Sequence, residues 1–321
     1  MSAPIPSPPN VISMQFAQKL IDNIEKVIIG KRSTVELAVV SLLCRGHALI
    51  EDVPGTGKTM LARSLARSIA VDSKRLQCTP DLLPSDITGV PVFNQKTADF
   101  EFRPGPIFTH ILLADEINRA TPRAQSALLE CMDEYHVSVD GKTYELPSVF
   151  MVIATQNPIE MAGTHVLPEA QLDRFFVRLQ VGYPTLDEEV RILVAQAERH
   201  PIESLGAVAN EAEVLAARKE VTAIHLSSDV AHYVARIVAA TREHPDVRLG
   251  ASPRGTLALA RGAKGLAYVR GLAYVTPDLV KAMVRPVLGH RLMVRPQAAA
   301  KGVNASAILE QVLVNLAPPV T

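Results

Sequence analysis

The chain has 321 residues, with 33 Lys+Arg against 33 Asp+Glu and a formal net charge of zero; 48% is hydrophobic and 21% charged. That is the composition of a folded chain rather than a disordered one, with room for two domains that each bury a core. The even charge balance gives no global electrostatic case for nucleic acid or an anionic membrane as partner.

In chain order, residues 1–10 carry four prolines and no basic, apolar run of signal type. We expect a disordered extension there, not a secretory leader. A helical pattern covers about 13–27 and breaks at Ile28-Ile29-Gly30, and residues 34–44 read as a second apolar helix. From there to about Tyr183, apolar runs of strand length at 47–50, 111–114, 149–155 and 176–181 alternate with helical stretches. Such alternation predicts a parallel sheet with helices on both faces. Thr121-Pro122 starts one of those helices with a cap and a first-turn proline, followed by Ala124, Ala127, Leu128 and Cys131 on one face. Two hairpins interrupt the pattern, at about 91–108 and at about 137–145, the second turning at Asp140-Gly141.

After Tyr183-Pro184 the strand pattern stops. Ser227 caps a helix with Val230, Tyr233, Val234, Ile237 and Val238 on one face, and Thr276-Pro277 starts another. We therefore expect an α/β domain over 11–183 and a smaller helical domain over 184–321. No stretch nears 18 consecutive apolar residues, so no bilayer span is expected. Cys44, Cys78 and Cys131 are widely spaced and form no C-x-x-C, which reads as free thiols in a reducing, cytoplasmic setting.

The sharpest chemical signal is Asp52-Val-Pro-Gly55-Thr56-Gly57-Lys58-Thr59, directly after the run 47–50 and before a helix bearing Leu61, Leu65, Ala66 and Ile69. A phosphate-binding loop needs glycines so that backbone N–H groups can turn inward, and a lysine to span the β- and γ-phosphates. It also needs a hydroxyl for Mg²⁺ and the positive end of a helix. All are present; only Asp52 departs from the strict pattern, which has glycine there. Next, Ile111-Leu-Leu-Ala-Asp115-Glu116 ends a buried strand in adjacent carboxylates, at the edge where open α/β sheets bind ligands. One carboxylate can hold Mg²⁺ through its water shell while the other orients or deprotonates a water.

Three further residues each admit two readings. Asn157, before Pro158, can hydrogen-bond a γ-phosphate or a water, or simply start a turn. Arg174, in Leu172-Asp173-Arg174-Phe175-Phe176, suits a transferring phosphoryl group, if need be on a neighbouring chain; it equally suits pairing with Asp173 or the helix dipole. Arg254, in Ala251-Ser252-Pro253-Arg254-Gly255, either reaches across the cleft to a nucleotide or lies on the surface.

In this order the motifs resemble those of AAA+ ATPases and, within them, the MoxR family, over nearly everything from about Val11 onward. The resemblance is carried by residues 49–59, 113–120, 154–158, 167–175 and 250–254. It implies a three-layer αβα P-loop core with a parallel five-stranded sheet, followed by a smaller all-α lid. It implies ATP and Mg²⁺ as cofactors, with Pro54, Gly55, Thr56, Gly57, Lys58, Thr59 and Met60 at the phosphates and Ile29 and Gly30 at the adenine. Thr59 and Asp115 would place the metal, Glu116 would activate water and Asn157 would serve as sensor 1. Arg174 would be an arginine finger and Arg254 a sensor 2, acting on its own nucleotide or a neighbour's. The two hairpins match the insert in the second helix and the hairpin before sensor 1.

Members of the family form rings, usually hexamers, and act as chaperone-like motors that mature or activate a protein client, often with a von Willebrand A-type partner. The expectation is thus a homo-oligomeric, cytoplasmic ATPase with neither nucleic-acid binding nor membrane insertion. Three rivals differ in class. A metal-chelatase motor subunit is nearest by architecture. A nucleic-acid translocase is opposed by the zero net charge, the lack of tryptophan and only Lys96, Arg103 and Lys142 as basic residues at the hairpins. A nucleotide-dependent binding switch has no need of Glu116, Asn157 and Arg174.

Overall fold

The computed structural model describes residues 11–52, 55–157, 164–197 and 200–319. The expectations for residues 1–10 and for Pro54 fall outside these. The first part of the chain runs α1 (Val11–Glu25), α2 (Arg32–Leu43), β1 (Ala48–Glu51), α3 (Lys58–Ser68), β2 (Ser73–Gln77), α4 (Pro84–Thr88), the hairpin β3 (Gly89–Asn94) and β4 (Asp99–Pro104), and β5 (Ile111–Asp115). It continues through α5 (Pro122–Glu134), the hairpin β6 (His136–Val139) and β7 (Lys142–Glu145), β8 (Met151–Gln156), α6 (Glu169–Leu172) and β9 (Val177–Leu179).

Five strands form one parallel sheet in the order β2-β5-β8-β1-β9. Successive side chains on a strand point to opposite faces, and the sheet is apolar on both. Ala48, Ile50, Ile111, Leu113, Met151 and Ile153 pack on the face that carries α1, α2 and α3. Leu49, Leu112, Ala114, Val152 and Ala154 pack on the face that carries α5. Strands β1, β5 and β8 run the same way, so Glu51, Asp115 and Gln156 come out at one edge. That edge is where the site forms.

Strand β2 has no counterpart in the apolar pattern. Its sequence is Ser-Lys-Arg-Leu-Gln with only Leu76 buried. It is one of the sheet's two outer strands, held by residue-for-residue pairing with β5 from Ser73↔Ile111 to Gln77↔Asp115, and a polar outer strand also discourages edge-to-edge association. In the β6–β7 hairpin, Asp140 and Gly141 both take positive φ, 49° and 72°, as a two-residue turn matched to strand twist requires.

The second part runs α7 (Leu186–Ala195), α8 (Pro201–Ser204), α9 (Glu211–Ala223), α10 (Ser228–Glu243), β10 (Val247–Leu249), α11 (Pro253–Val269), α12 (Pro277–Leu288), β11 (Met293–Val294), α13 (Pro296–Ala299) and α14 (Ala305–Asn315). It is helical with one small addition, the antiparallel ribbon β10–β11, whose strands of three and two residues leave no periodic signal. Ser227 and Thr276 accept the N–H groups of Val230 and Leu279 as N-caps. Helix α11 crosses α2 so closely that a Cβ on Gly265 would meet Cys44 Sγ at 2.6 Å, and one core continues from the sheet into the helical part. All three cysteines are buried free thiols, and burial pushes each up to about 12, so they are inert packing groups. Among the described residues no helix is long and apolar enough to cross a membrane.

Candidate active site

At the phosphate loop, Asp52 N–H donates to the Gln156 carbonyl (3.3 Å), fixing the end of β1 beside β8. Gly55 and Gly57 take φ of +83° and +86°, and a Cβ on either would meet nothing within 4 Å. Glycine is needed there for the left-handed backbone, not for space. Gly57 is also the N-cap of α3, so the loop's amides lead into the positive end of a helix. Lys58 Nζ donates to the Asp52 carbonyl (2.9 Å) and holds the loop across its own mouth. Thr59 follows in the first turn of α3, half-buried.

Asp52 has a structural role that its departure from the glycine pattern left unexplained. Its Oδ2 accepts the N–H groups of Val181 (2.8 Å) and Gly182 (2.5 Å), in the stretch that joins β9 to α7. Charge-assisted bonds of this kind are about twice as strong as neutral ones, so the carboxylate acts as a strut between the phosphate loop and the start of the helical part. Nearby, Lys31 donates to the Tyr183 carbonyl (2.8 Å) and pairs with Glu188 (3.7 Å). Glu188 in turn closes the capping box with Thr185 that starts α7. A Cβ on Gly30 would land on the Glu188 carboxylate, so Gly30 seats α7. The cavity beside the loop, about 260 Å³, is lined by Ile28, Ile29, Gly55 to Gly57, Met60, Gly182 and Ile192 among others. Apolar side chains on one wall and backbone on the other suit a flat base with a polyanionic tail.

At the end of β5, Asp115 Oδ1 accepts the Thr155 hydroxyl (2.6 Å) and Oδ2 accepts Arg75 Nη2 (2.6 Å). Glu116 takes φ +56°, ψ +51°, a left-handed conformation that costs a non-glycine residue about 1–3 kcal/mol and is met at functional sites. Its N–H donates to Thr155 Oγ1 (2.8 Å). The buried Thr155 hydroxyl thus fixes both carboxylate residues, accepting from one and donating to the other. The Glu116 carboxylate accepts from Arg119 Nη1 (2.9 Å) and Gln77 Nε2 (3.2 Å). Asn157 is buried one residue beyond β8, and its carbonyl accepts from Asn118 Nδ2 (3.4 Å). Sequence reasoning missed Thr155, Arg119 and Gln77 as partners. The first two lie inside motifs it had isolated, whereas Gln77 lies on the strand it did not find.

Arg174 and Arg254 lie elsewhere. Neither lines the phosphate-loop cavity; both line a second cavity of about 210 Å³ that shares no lining residue with it among the described residues. Arg254 faces this second cavity, not the loop of its own chain. Asp133, near the end of α5, takes both arginines on Oδ2, Arg174 Nε at 3.3 Å and Arg254 Nη2 at 3.5 Å. Arg174 pairs with Asp133 and not with its neighbour Asp173, whose carboxylate is engaged by other groups. Asp173 Oδ1 accepts Arg291 Nε (2.7 Å) and its Oδ2 accepts the hydroxyl of Ser252, the N-cap of α11. Arg291 is buried and also donates to the Phe175 carbonyl (2.6 Å). Arg45 lies over the Tyr135 ring (4.6 Å) and Arg261 over the Phe176 ring (5.5 Å).

The second cavity therefore gathers five arginines against two aspartates. His47 forms part of its wall without adding charge. Its Nδ1 accepts the Val152 N–H (2.9 Å), its Nε2 donates to the Met132 carbonyl (3.0 Å), and burial holds its pKa down to about 4. Such a cavity attracts a polyanion.

The ATPase family associated with various cellular activities (AAA) matches residues 47–177, and the AAA lid domain matches 239–312. The Bacillus subtilis protein YeaC is 47% identical over 302 residues, 94% of each chain. Chaperone MoxR1 of Mycobacterium tuberculosis is 38% identical over 94% of this chain and 82% of its own. The protein MoxR of Paracoccus denitrificans is 32% identical over 84% of this chain and 86% of its own. A crystal structure of a Cytophaga hutchinsonii protein superimposes with a TM-score of 0.89 at 34% identity, over 96% of this chain and 97% of its own. With the motifs, the sheet and the helical lid in place, this chain belongs to the MoxR family of AAA+ ATPases.

Proposed function

We infer that this ATPase hydrolyses Mg²⁺–ATP at the junction between two of its own copies and uses the cycle to remodel a protein client. The observation that most supports this is that one chain carries two half-sites in separate cavities: a phosphate loop with its carboxylates, and an arginine cluster held by Asp133. When different surfaces meet head to tail, every junction pairs the same two faces, and the assembly closes into a ring wherever the rotation between copies closes. The arginine cavity of one copy then serves the phosphate loop of the next.

In this reading the base lies against Ile29, Met60 and Ile192, and Lys58 leaves the Asp52 carbonyl to span the β- and γ-phosphates. Among the described residues no group of three or more His, Cys, Asp or Glu can hold a metal. A hydroxyl at Thr59 and a carboxylate at Asp115 instead fit Mg²⁺, which favours one or two protein oxygens beside phosphate. Held there, the ion would supply positive charge to offset that of the phosphates. Glu116 takes a proton from the water that attacks the γ-phosphorus, Asn157 positions that water, and the bond to the departing ADP oxygen breaks. Arg174 and Arg254 of the adjoining copy balance charge on the transferring phosphoryl group.

That a relative is named a chaperone supports a protein client, and the zero net charge disfavours nucleic acid. A six-membered ring, a von Willebrand A-type partner and a cytoplasmic setting belong to the same reading. The test is phosphate release with Mg²⁺ and with a chelator, alongside binding of a fluorescent ATP analogue. Glu116→Gln is expected to bind the analogue and turn over ~100-fold more slowly, the contribution of a positioned general base. Turnover at the wild-type rate would remove Glu116 from that role.

A further inference from the structure

Helix α7 has no buried residue along its length. Leu186, Val190, Leu193 and Val194 are 77%, 51%, 72% and 72% exposed, and their spacing of i, i+4, i+7 and i+8 places them on one stripe. Asp187 and Glu189 flank that stripe. The other side of the helix is committed, since Glu188 pairs with Lys31 and Ile192 lines the phosphate-loop cavity. The helix is thus anchored to the nucleotide side of the molecule while it presents four apolar side chains to solvent, which marks an interaction surface rather than a scattered exposure.

A surface of complementary character lies beside the arginine cavity. Leu43, Leu257 and Ala260 line a groove of about 260 Å³ whose basic residues include Arg45, Arg261 and Lys264. Leu257, on α11, is 67% exposed. Arg45 and Arg261 line the arginine cavity as well, so groove and cavity are continuous.

We propose that α7 of one copy docks in this groove of the next copy, with its apolar stripe on Leu257 and its acidic flanks against the basic residues. An apolar centre with charges of opposite sign around it is the anatomy of a specific interface. The proposal rests on the junction reading above, and the two are geometrically linked. The groove adjoins the arginine cavity and α7 walls the phosphate-loop cavity, so both contacts call for the same pair of faces. Because helix and groove are different surfaces, the contact is head to tail.

Sedimentation velocity of the full chain with Mg²⁺ and a non-hydrolysable ATP analogue tests this, with fluorescent-analogue affinity as the check that each variant is folded. The wild type is expected to assemble, and Leu193→Asp/Val194→Asp and, separately, Leu257→Asp to lose the assembled species while keeping analogue affinity within twofold. An equimolar mixture of the two variants is expected to give a two-chain species and nothing larger, because one retains only the groove and the other only the helix. Assembly of Leu257→Asp as in the wild type, or a mixture that stays monomeric, would overturn the docking. If the wild type assembles and both variants assemble equally, the docking fails and the junction reading stands. A wild type that stays monomeric with nucleotide overturns both.

Discussion

The two cavities are built in opposite ways. The phosphate-loop side is mostly main chain: glycines at positive φ, the amides leading into α3, and a carboxylate that grips two further amides at Val181 and Gly182. The arginine side is mostly side chain: guanidinium groups set on Asp133 and on the rings of Tyr135 and Phe176, above the pair that the buried Arg291 makes with Asp173. Main-chain sites are written in consecutive residues and keep their shape when one side chain changes. Side-chain sites are gathered from distant parts of the chain and are lost one residue at a time. Damage to the main-chain scaffold of the loop should therefore register mainly in nucleotide affinity, and damage to the arginine side mainly in turnover.

The sharpest break in that comparison is Arg174→Ala. Arginine fingers contribute on the order of 10³-fold or more to phosphoryl transfer, so turnover should fall about 10³-fold with analogue affinity changed less than twofold. A matching loss of affinity would place Arg174 on the wrong side of the comparison. Next in size is an acid response rooted in the wall of the arginine cavity. His47 has an ordinary pKa of 6.5 and is held near 4 when folded, so the unfolded chain takes up a proton that the folded chain refuses. Its contribution is fully present above about pH 6.5 and is lost as pH falls through about 4, up to ~3 kcal/mol at ~1.4 kcal/mol per unit. Urea midpoints measured from pH 8 to 4 should fall less steeply for His47→Gln than for the wild type; parallel curves would assign the acid response to other groups. The smallest effect is expected at Asp52→Asn, which keeps the shape and removes the charge from the bonds to Val181 and Gly182. Analogue affinity should weaken about fivefold, roughly 1 kcal/mol, with single-turnover chemistry unchanged.

The same contrast governs how far the molecule was legible from its residues. Strands β1, β5 and β8 were visible because burial on both faces leaves continuous apolar runs, and β9, the sheet's other outer strand, because Phe176, Val177, Leu179 and Val181 are all buried. Strand β2 was not, because an outer strand with one buried side chain, Leu76, carries no such run. With it went Gln77, one of the two groups that hold the Glu116 carboxylate. The phosphate loop was readable residue by residue, since its chemistry lies in eight consecutive positions. Arg174 and Arg254 were identifiable as arginines suited to phosphate, yet their meeting at Asp133 depends on how α5, β9 and α11 pack, and no local pattern encodes it. Asp52 was visible only as a departure from the glycine pattern, because its partners lie 129 and 130 residues away.

In the proposed assembly the two half-sites of a chain serve different nucleotides. Two inactive variants, Glu116→Gln and Arg174→Ala, should be measured for ATP turnover alone and in an equimolar mixture, with co-assembly checked by sedimentation. Each retains the half-site that the other lacks. If the arginine cavity of one copy acts on the phosphate loop of the next, mixed junctions regain an intact pair and turnover rises well above either variant alone. Co-assembled mixtures as inactive as their components would contradict it, and would return Arg174 to a purely structural role on Asp133.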